Sequence, residues 1–215
     1  MSIVTIRGTL GSGAPEIGRL IAQKIHGDYV DREIIERVAK TIDKNKKYVI
    51  DKEMPDSSVF GRIIEALAKS PPAPALDGLY AAYLPTWEYP LDDNRYLAGL
   101  ETVIKQLAEH KSIVIRGRGS QFILKDKPGA FHVLTVASTE IRTKRVMEEK
   151  KTDESGALKL ISRFDNSRRE FIKRYFNADL DDPVHYDLVI NTDRMTFEHA
   201  ASLVSNALSL VRDAM

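Results

Sequence analysis

The chain opens with a strand pattern, a glycine-rich turn and a helical pattern in immediate succession. Residues 3–6 form a β-branched run typical of a buried strand. The helical pattern then places apolar residues three and four apart, at Ile17, Leu20, Ile21 and Ile25. Such an arrangement directs backbone N–H groups and a helix N-terminus at one point, where an anion such as phosphate binds. The first residues therefore predict an anion site in a turn whose glycines are Gly8, Gly11 and Gly13.

The spacing of these glycines matches the phosphate-binding loop G-x-x-x-x-G-K-[ST] only at Gly8 and Gly13. Ala14 stands where a lysine would reach the phosphates, and Pro15 stands where a hydroxyl would hold magnesium. Proline suits the first turn of a helix but cannot bind a metal ion. A tight turn without a ligand is the alternative interpretation, and three glycines at the first strand favour phosphate binding.

The composition is that of an ordinary globular chain, 43% hydrophobic and 29% charged. The 215 residues suffice for one α/β domain with a full core. A formal net charge of +1 gives no electrostatic argument for nucleic acid or membrane partners. There is no cysteine, and the five histidines lack metal-ligand spacing, so we predict no metal site. Because no targeting or membrane-spanning pattern is visible, we expect a cytoplasmic protein.

Strand and helix patterns alternate along most of the chain. Strand runs recur at 28–30, 112–115, 131–136 and 188–190, with helical patterns between them. This alternation predicts an α/β fold, a five-stranded parallel sheet with helices on both faces, in a single domain over residues 1–215. Ligands of such sheets lie at the carboxyl ends of the strands.

The alternation is interrupted by an irregular segment of helix and loop at 43–93. Its aromatic part, 79–89, contains Tyr80, Tyr83, Trp87 and Tyr89 among prolines. An irregular segment of this length in a compact domain is usually functional or mobile. These aromatic side chains either anchor a surface loop or stack on a base, and both interpretations stay open.

Two arginines are hard to explain by packing. Arg118 lies between two glycines after a strand run. Arg168 shares a helix face with Phe164 and Ile172, and Asp165, three residues earlier, can orient it. Because the arginine fork matches two phosphate oxygens, we expect both arginines to contact phosphate. A structural ion pair is the alternative for each.

Five segments taken in order resemble the cytidylate kinase-like family, a branch of the P-loop nucleoside monophosphate kinases. They are GSGAPEIG (11–18), YVD (29–31), GRG (117–119), DNSR (165–168) and YDLVINT (186–192). The resemblance implies a P-loop kinase fold, with the helical insert 43–93 near the acceptor site and a helical lid at 153–176. It also implies transfer of the γ-phosphoryl group of ATP, with Mg²⁺, to CMP, dCMP or a related small acceptor.

The resemblance also assigns roles to single residues. Arg118 would grip the monophosphate of the acceptor. Arg168 would reach the transferred phosphoryl group, and Asp165 would help to read the acceptor, so that these three residues form the catalytic set. Asp31 would lie near the acceptor. The nucleotide phosphates would be bound by Gly8, Gly11, Ser12 and Gly13.

Departures from the family pattern leave two functions open. Besides the missing lysine and hydroxyl, the third strand ends in Ile115-Arg116 without an aspartate, so the protein ligands of Mg²⁺ cannot be identified. Arg7, Arg116 or Arg168 could supply the missing cation. We expect phosphoryl transfer to a nucleoside monophosphate. The alternative is a catalytically degenerate nucleotide- or anion-binding protein that acts through a protein partner, and an RNA-binding module has only the basic residues of 138–176 in its favour.

Overall fold

The computed structural model describes residues 2–31, 93–109 and 112–213. These residues form five strands and six α-helices. In chain order they are β1 (Ile3–Gly8), α1 (Ala14–Lys24), β2 (Asp28–Val30), α2 (Asp93–Leu107), β3 (Ile113–Arg116), α3 (Ser120–Ile123), β4 (Ala130–Val136), α4 (Thr139–Lys150), α5 (Glu154–Phe176), β5 (Leu188–Asn191) and α6 (Phe197–Asp213), with a 3₁₀ turn at Pro183–His185. The insert predicted for 43–93, including its aromatic segment, lies outside the described residues except for Asp93.

The described residues divide between two units. Residues 2–29 and 112–213 belong to one, and residues 30–31 and 93–109 belong to the other. In the second unit, α2 buries an apolar stripe that includes Val103, Ile104 and Leu107. The first unit contains the glycine turn, Arg118 and α5. Most of the predicted site therefore lies within one unit.

The five strands form one sheet in the order β2-β3-β1-β4-β5. The central strand β1 pairs in parallel with β3 and β4, and β4 pairs in parallel with β5. Ile6 lies opposite Arg116, and Gly8 lies opposite Thr135. The predicted five-stranded parallel sheet is confirmed. The carboxyl ends of β1, β3 and β4 consequently meet at one edge, where the glycine turn begins.

Helices α1 and α6 pack together on one face of this sheet. Their apolar stripes bury side chains of the central strands in a shared core, where each fully buried aliphatic side chain stabilises the fold by about 1.5–3 kcal/mol. Members of this core include Val4, Ile6, Ile17, Ile21, Val114, Val133, Ile190 and Val204. Because side chains alternate along a strand, Thr5 and Arg7 of β1 face the opposite side. The core thus holds the start of α1 against the end of β1.

His132 of β4 is buried on the side of Thr5. Its Nδ1 atom lies 2.8 Å from the Thr5 hydroxyl oxygen, and its backbone N–H donates to the Asp187 carboxylate at 2.7 Å. Burial lowers the pKa of the His132 imidazole, and the nearby Asp187 charge only partly opposes this effect. His132 is therefore a neutral residue of the interior at pH 7.

We expect the free energy of unfolding to decrease as the pH falls below about 6.5, the ordinary pKa of histidine. In that range the unfolded chain takes up a proton at His132, whereas the folded chain, whose pKa is lower, does not. The decrease in the free energy of unfolding ends below the pKa of His132 in the folded protein, where both the folded and the unfolded chain are protonated. Melting temperatures between pH 7.5 and 5 would measure it, and His132→Gln should remove this contribution. A His132 ring that titrates at or above pH 6.5 by NMR would contradict the expectation.

Candidate functional site

The glycine turn connects the end of β1 to the start of α1. Gly11 and Gly13 both have φ of 85°, a left-handed conformation that glycine adopts without strain. Gly13 is the N-cap residue of α1, and among the described residues no side chain caps this helix. Pro15 lies in the first turn, as predicted. A glycine at the N-cap supplies no side-chain oxygen to the first-turn N–H groups of α1.

Ser12, predicted to contact the nucleotide, is fully buried in this turn. Its hydroxyl donates to the Thr9 carbonyl at 2.8 Å and lies 2.8 Å from the Thr135 hydroxyl. Its backbone N–H also donates to the Thr9 carbonyl, at 3.0 Å. Gly8 is close to the same two hydroxyls, since a Cβ atom on it would be 2.2 Å from that of Thr135 and 2.4 Å from that of Ser12. Ser12 thus holds the shape of the turn, and its contact with a nucleotide stays a prediction.

Asp165 of α5 lies beside the turn and is buried. Its two oxygens accept hydrogen bonds from the Leu10 N–H, at 3.2 Å, and from the Arg142 guanidinium, and orientation of Arg168 by this carboxylate stays a prediction. The packing of α5 against α4 brings Arg142 to the carboxylate. Arg168 is half-buried with its Cζ atom 4.6 Å from the centre of the Phe164 ring. The predicted shared face of Phe164 and Arg168 is confirmed.

Arg118 lies in the loop between β3 and α3. Gly117, Arg118 and Gly119 have φ of 79°, 59° and 70°. At a residue with a Cβ atom, this conformation costs about 1–2 kcal/mol and persists only where the surroundings enforce it. Arg118 is 5% exposed, and the Gly117 N–H donates to the Ile6 carbonyl of β1 at 3.2 Å. The Arg118 loop therefore lies next to the glycine turn, at the carboxyl edge of the sheet.

Arg7 on β1 precedes the glycine turn and is already paired. Its Nη1 donates to Asp181 at 2.7 Å and to the Leu180 carbonyl at 3.3 Å. Asp181 also accepts from the Arg169 Nε at 2.6 Å. Burial acts to raise the pKa of Asp181, but the hydrogen bonds from Arg169 and Arg7 and their charges outweigh it and lower this pKa. Arg7 was one of three arginines considered as replacements for the missing lysine. Its charge is already paired with Asp181.

The sequence interpretation missed Arg142, Arg145 and Asp181. Arg145 donates from Nη1 to the Gly11 carbonyl at 3.1 Å, and its Cζ atom lies 4.9 Å from the centre of the Phe197 ring. One signal was available, since Arg142 lies four residues before buried Val146 and so shares its helix face. The loop position of Asp181 offered no such periodic signal.

Asp31 directly follows β2, as predicted. It belongs to the second unit, and its contact with an acceptor stays a prediction. Across residues 2–31, 93–109 and 112–213, no group of three histidine or acidic side chains is arranged to hold a metal ion. No helix in these ranges has both the length and the apolar composition that crossing a bilayer requires.

Comparison with known proteins identifies the family. The sequence model of the cytidylate kinase-like family matches residues 3–194. Cytidylate kinase of Methanocaldococcus jannaschii is 24% identical, covering 96% of this chain and 97% of that protein. Cytidylate kinase of Methanococcus aeolicus is 23% identical, with coverage of 96% and 97%. A solved structure from Eubacterium ventriosum shares the fold with a TM-score of 0.69 at 19% identity, covering 97% of this chain and 99% of the other. The chain belongs to the cytidylate kinase-like family.

Proposed function

We propose that this protein binds ATP at the glycine turn and transfers its γ-phosphoryl group to a nucleoside monophosphate, CMP, dCMP or a related small acceptor. The observation that carries the proposal is the uncapped N-terminus of α1 beside the buried Arg118 loop, at one edge of a parallel sheet. Two elements able to bind anions at one edge of the sheet suit a donor and an acceptor that both carry phosphate. Membership of the cytidylate kinase-like family supports this substrate class.

The donor phosphates would lie at the first turn of α1. The N–H groups there point along the helix axis, and the helix dipole favours negative charge at the same place. Gly8, Gly11 and Gly13 let the turn pack closely against its neighbours, because a Cβ atom on any of them would approach a neighbouring protein atom to 2.9 Å or less. Backbone donors of this kind need no lysine for binding, although a lysine would add charge.

The acceptor would be held by Arg118, whose guanidinium can bind two phosphate oxygens at once. An oxygen of the acceptor phosphate attacks the γ-phosphorus of ATP, and the bond from that phosphorus to the bridging oxygen breaks to release ADP. Arg168 on α5 would neutralise charge on the transferred group. Such reactions depend almost wholly on positioning and charge neutralisation, and these roles are drawn from the family resemblance.

Magnesium normally accompanies ATP in this chemistry and supplies charge neutralisation at the phosphates. The residues near the turn do not fit a protein-held magnesium site. Pro15 has no hydroxyl, Ile115 and Arg116 have no oxygen in their side chains, and the described ranges contain no acidic cluster suited to a metal ion. Magnesium would therefore be held by nucleotide oxygens and water, and the protein's own residues carry the steps described above.

The second candidate function is nucleotide or anion binding without catalysis, expressed through a protein partner. Ala14 and Pro15 favour it, because they remove the lysine and the hydroxyl that the P-loop pattern provides. Loss of one preorganised charge contact typically lowers turnover by about 10²–10³.

A substrate panel separates the two candidates. The protein would be incubated with ATP, Mg²⁺ and each of CMP, dCMP, UMP, AMP and GMP, with ADP release and binding heat measured in parallel. We expect turnover with CMP or dCMP above the other acceptors. Binding of ATP without turnover on any acceptor would favour the degenerate protein. Absence of ATP binding at millimolar concentration would contradict the first candidate, and absence of binding of every nucleotide in the panel would contradict nucleotide binding in the second.

A further inference from the structure

The glycine turn is held at Leu10 by two other helices. The Leu10 N–H donates to the Asp165 carboxylate of α5 at 3.2 Å, and the Leu10 carbonyl accepts from the Arg142 Nε of α4 at 2.7 Å. Arg142 and Asp165 also form an ion pair with each other. Both polar groups of one residue of the turn are therefore bound by the two members of a single ion pair.

This ion pair is buried, with Arg142 8% and Asp165 5% exposed. Taking two charges out of water costs several kcal/mol unless further hydrogen bonds satisfy their remaining atoms. Here those further partners belong to Leu10. The pair and the turn consequently depend on each other, since neither charge is fully satisfied without the Leu10 backbone.

Apolar packing reinforces the same attachment. The Leu10 side chain packs against a small core formed by Val146, Ala157 and Ile161 of α4 and α5. Gly11 lies so close to α4 that a Cβ atom would be 2.9 Å from the Arg142 carbonyl oxygen. Leu10 is thus held at its N–H, its carbonyl and its side chain. From this anchored residue the chain needs only three more residues to reach the N-cap of α1.

We propose that Arg142 and Asp165 are positioning residues that hold the glycine turn in the shape required to bind the phosphates of the donor. The inference deepens the proposed function and rests on it for the identity of the ligand. It differs from the role that the family resemblance gives Asp165, which is to read the acceptor. Loss of the ion pair should therefore affect the donor, whereas loss of an acceptor contact would raise only the KM of the acceptor.

Hydrogen exchange and kinetics can separate these roles. Arg142→Met should speed amide exchange in residues 9–13 of the nucleotide-free protein. It should also weaken ATP binding about ten- to a hundredfold, as loss of charged hydrogen bonds does, with the acceptor KM unchanged. Asp165→Asn should show the same pattern. The proposal would be overturned if Arg142→Met kept wild-type exchange and ATP affinity. It would also be overturned if Asp165→Asn changed only the acceptor KM.

A double variant guards against misfolding of the single ones. Replacement of a buried ion pair by apolar residues of similar volume often leaves stability unchanged. Arg142→Met with Asp165→Leu should therefore fold, yet lose both hydrogen bonds to Leu10. We expect exchange and ATP affinity at least as impaired as in Arg142→Met, and wild-type values in this folded variant would again overturn the proposal.

Two matched controls complete the test. Lys144→Gln removes the exposed pair with Glu140 on the same helix, and Val204→Ala opens the core on α6, away from Leu10. Both should keep wild-type exchange in 9–13. If Val204→Ala raised amide exchange in 9–13 as much as Arg142→Met, general destabilisation would explain the exchange and the proposal would be wrong. If the wild-type protein bound no ATP, the proposed function would be refuted. The exchange experiment would remain valid, because it is carried out without nucleotide.

Discussion

Arg118→Ala should lower turnover with CMP by about 10²–10³, the usual effect of removing one preorganised charge contact, while the protein remains folded. Alanine adopts the left-handed conformation at this position, φ 59° in the wild type, at the same backbone cost as arginine. The change therefore reports on the guanidinium and adds no new strain. Steady-state kinetics with varied CMP and a thermal melt would measure the two effects separately.

Arg163→Ala is the matched control, because Arg163 is an exposed arginine on α5. It should leave both turnover and melting temperature unchanged. Arg118→Lys should recover only part of the activity, since an ammonium group keeps the charge but cannot bind two oxygens as a fork. A collapse of the fold in Arg118→Ala would instead identify Arg118 as a member of a structural ion pair.

Gly13→Ala should abolish ATP binding and lower the free energy of unfolding. The alanine would have to keep the backbone φ of +85°, and its Cβ atom would lie 2.2 Å from an atom of the Phe197 ring. The backbone strain alone costs about 1–2 kcal/mol, and the clash forces the N-cap of α1 or the ring to move. Either movement redirects the N–H groups that are to bind phosphate. Calorimetric titration with ATP and chemical unfolding would measure both effects.

Gly129→Ala provides a control with the same strain and no clash. Gly129 has φ of +77° and no atom within 4 Å of an added Cβ, and it precedes β4 at the amino edge of the sheet. The substitution should lower the free energy of unfolding by about 1–2 kcal/mol and leave ATP binding intact. If Gly13→Ala behaved like Gly129→Ala, phosphate would not bind at the first turn of α1.

We expect these two substitutions to affect different substrates. Gly13→Ala should remove donor binding and so affect every assay that uses ATP. Arg118→Ala replaces no residue of the glycine turn, because Arg118 lies in the loop after β3, and it should leave ATP binding intact. ATP binding that survives Arg118→Ala, together with lost turnover on CMP, would therefore place Arg118 on the acceptor.

The local features of this protein were predictable from its sequence. Strand and helix periodicities are properties of neighbouring residues, so local patterns suffice to locate the five strands, the glycine turn and the start of α1. The parallel sheet followed from their alternation, and the meeting of Gly13 and Arg118 at one edge followed from the sheet. The roles of these residues in catalysis stay predictions.

The tertiary structure alone decided which polar groups hold the turn. Asp165 binds Arg142, 23 residues away, and the Ser12 hydroxyl meets that of Thr135, 123 residues away. Arg7 pairs with Asp181 across 174 residues. Each guanidinium or carboxylate has several candidate partners in the sequence, and periodicity does not choose among them. The choice is made when packing of α4 on α5 and pairing of the strands bring one partner within hydrogen-bond distance and exclude water from the pair.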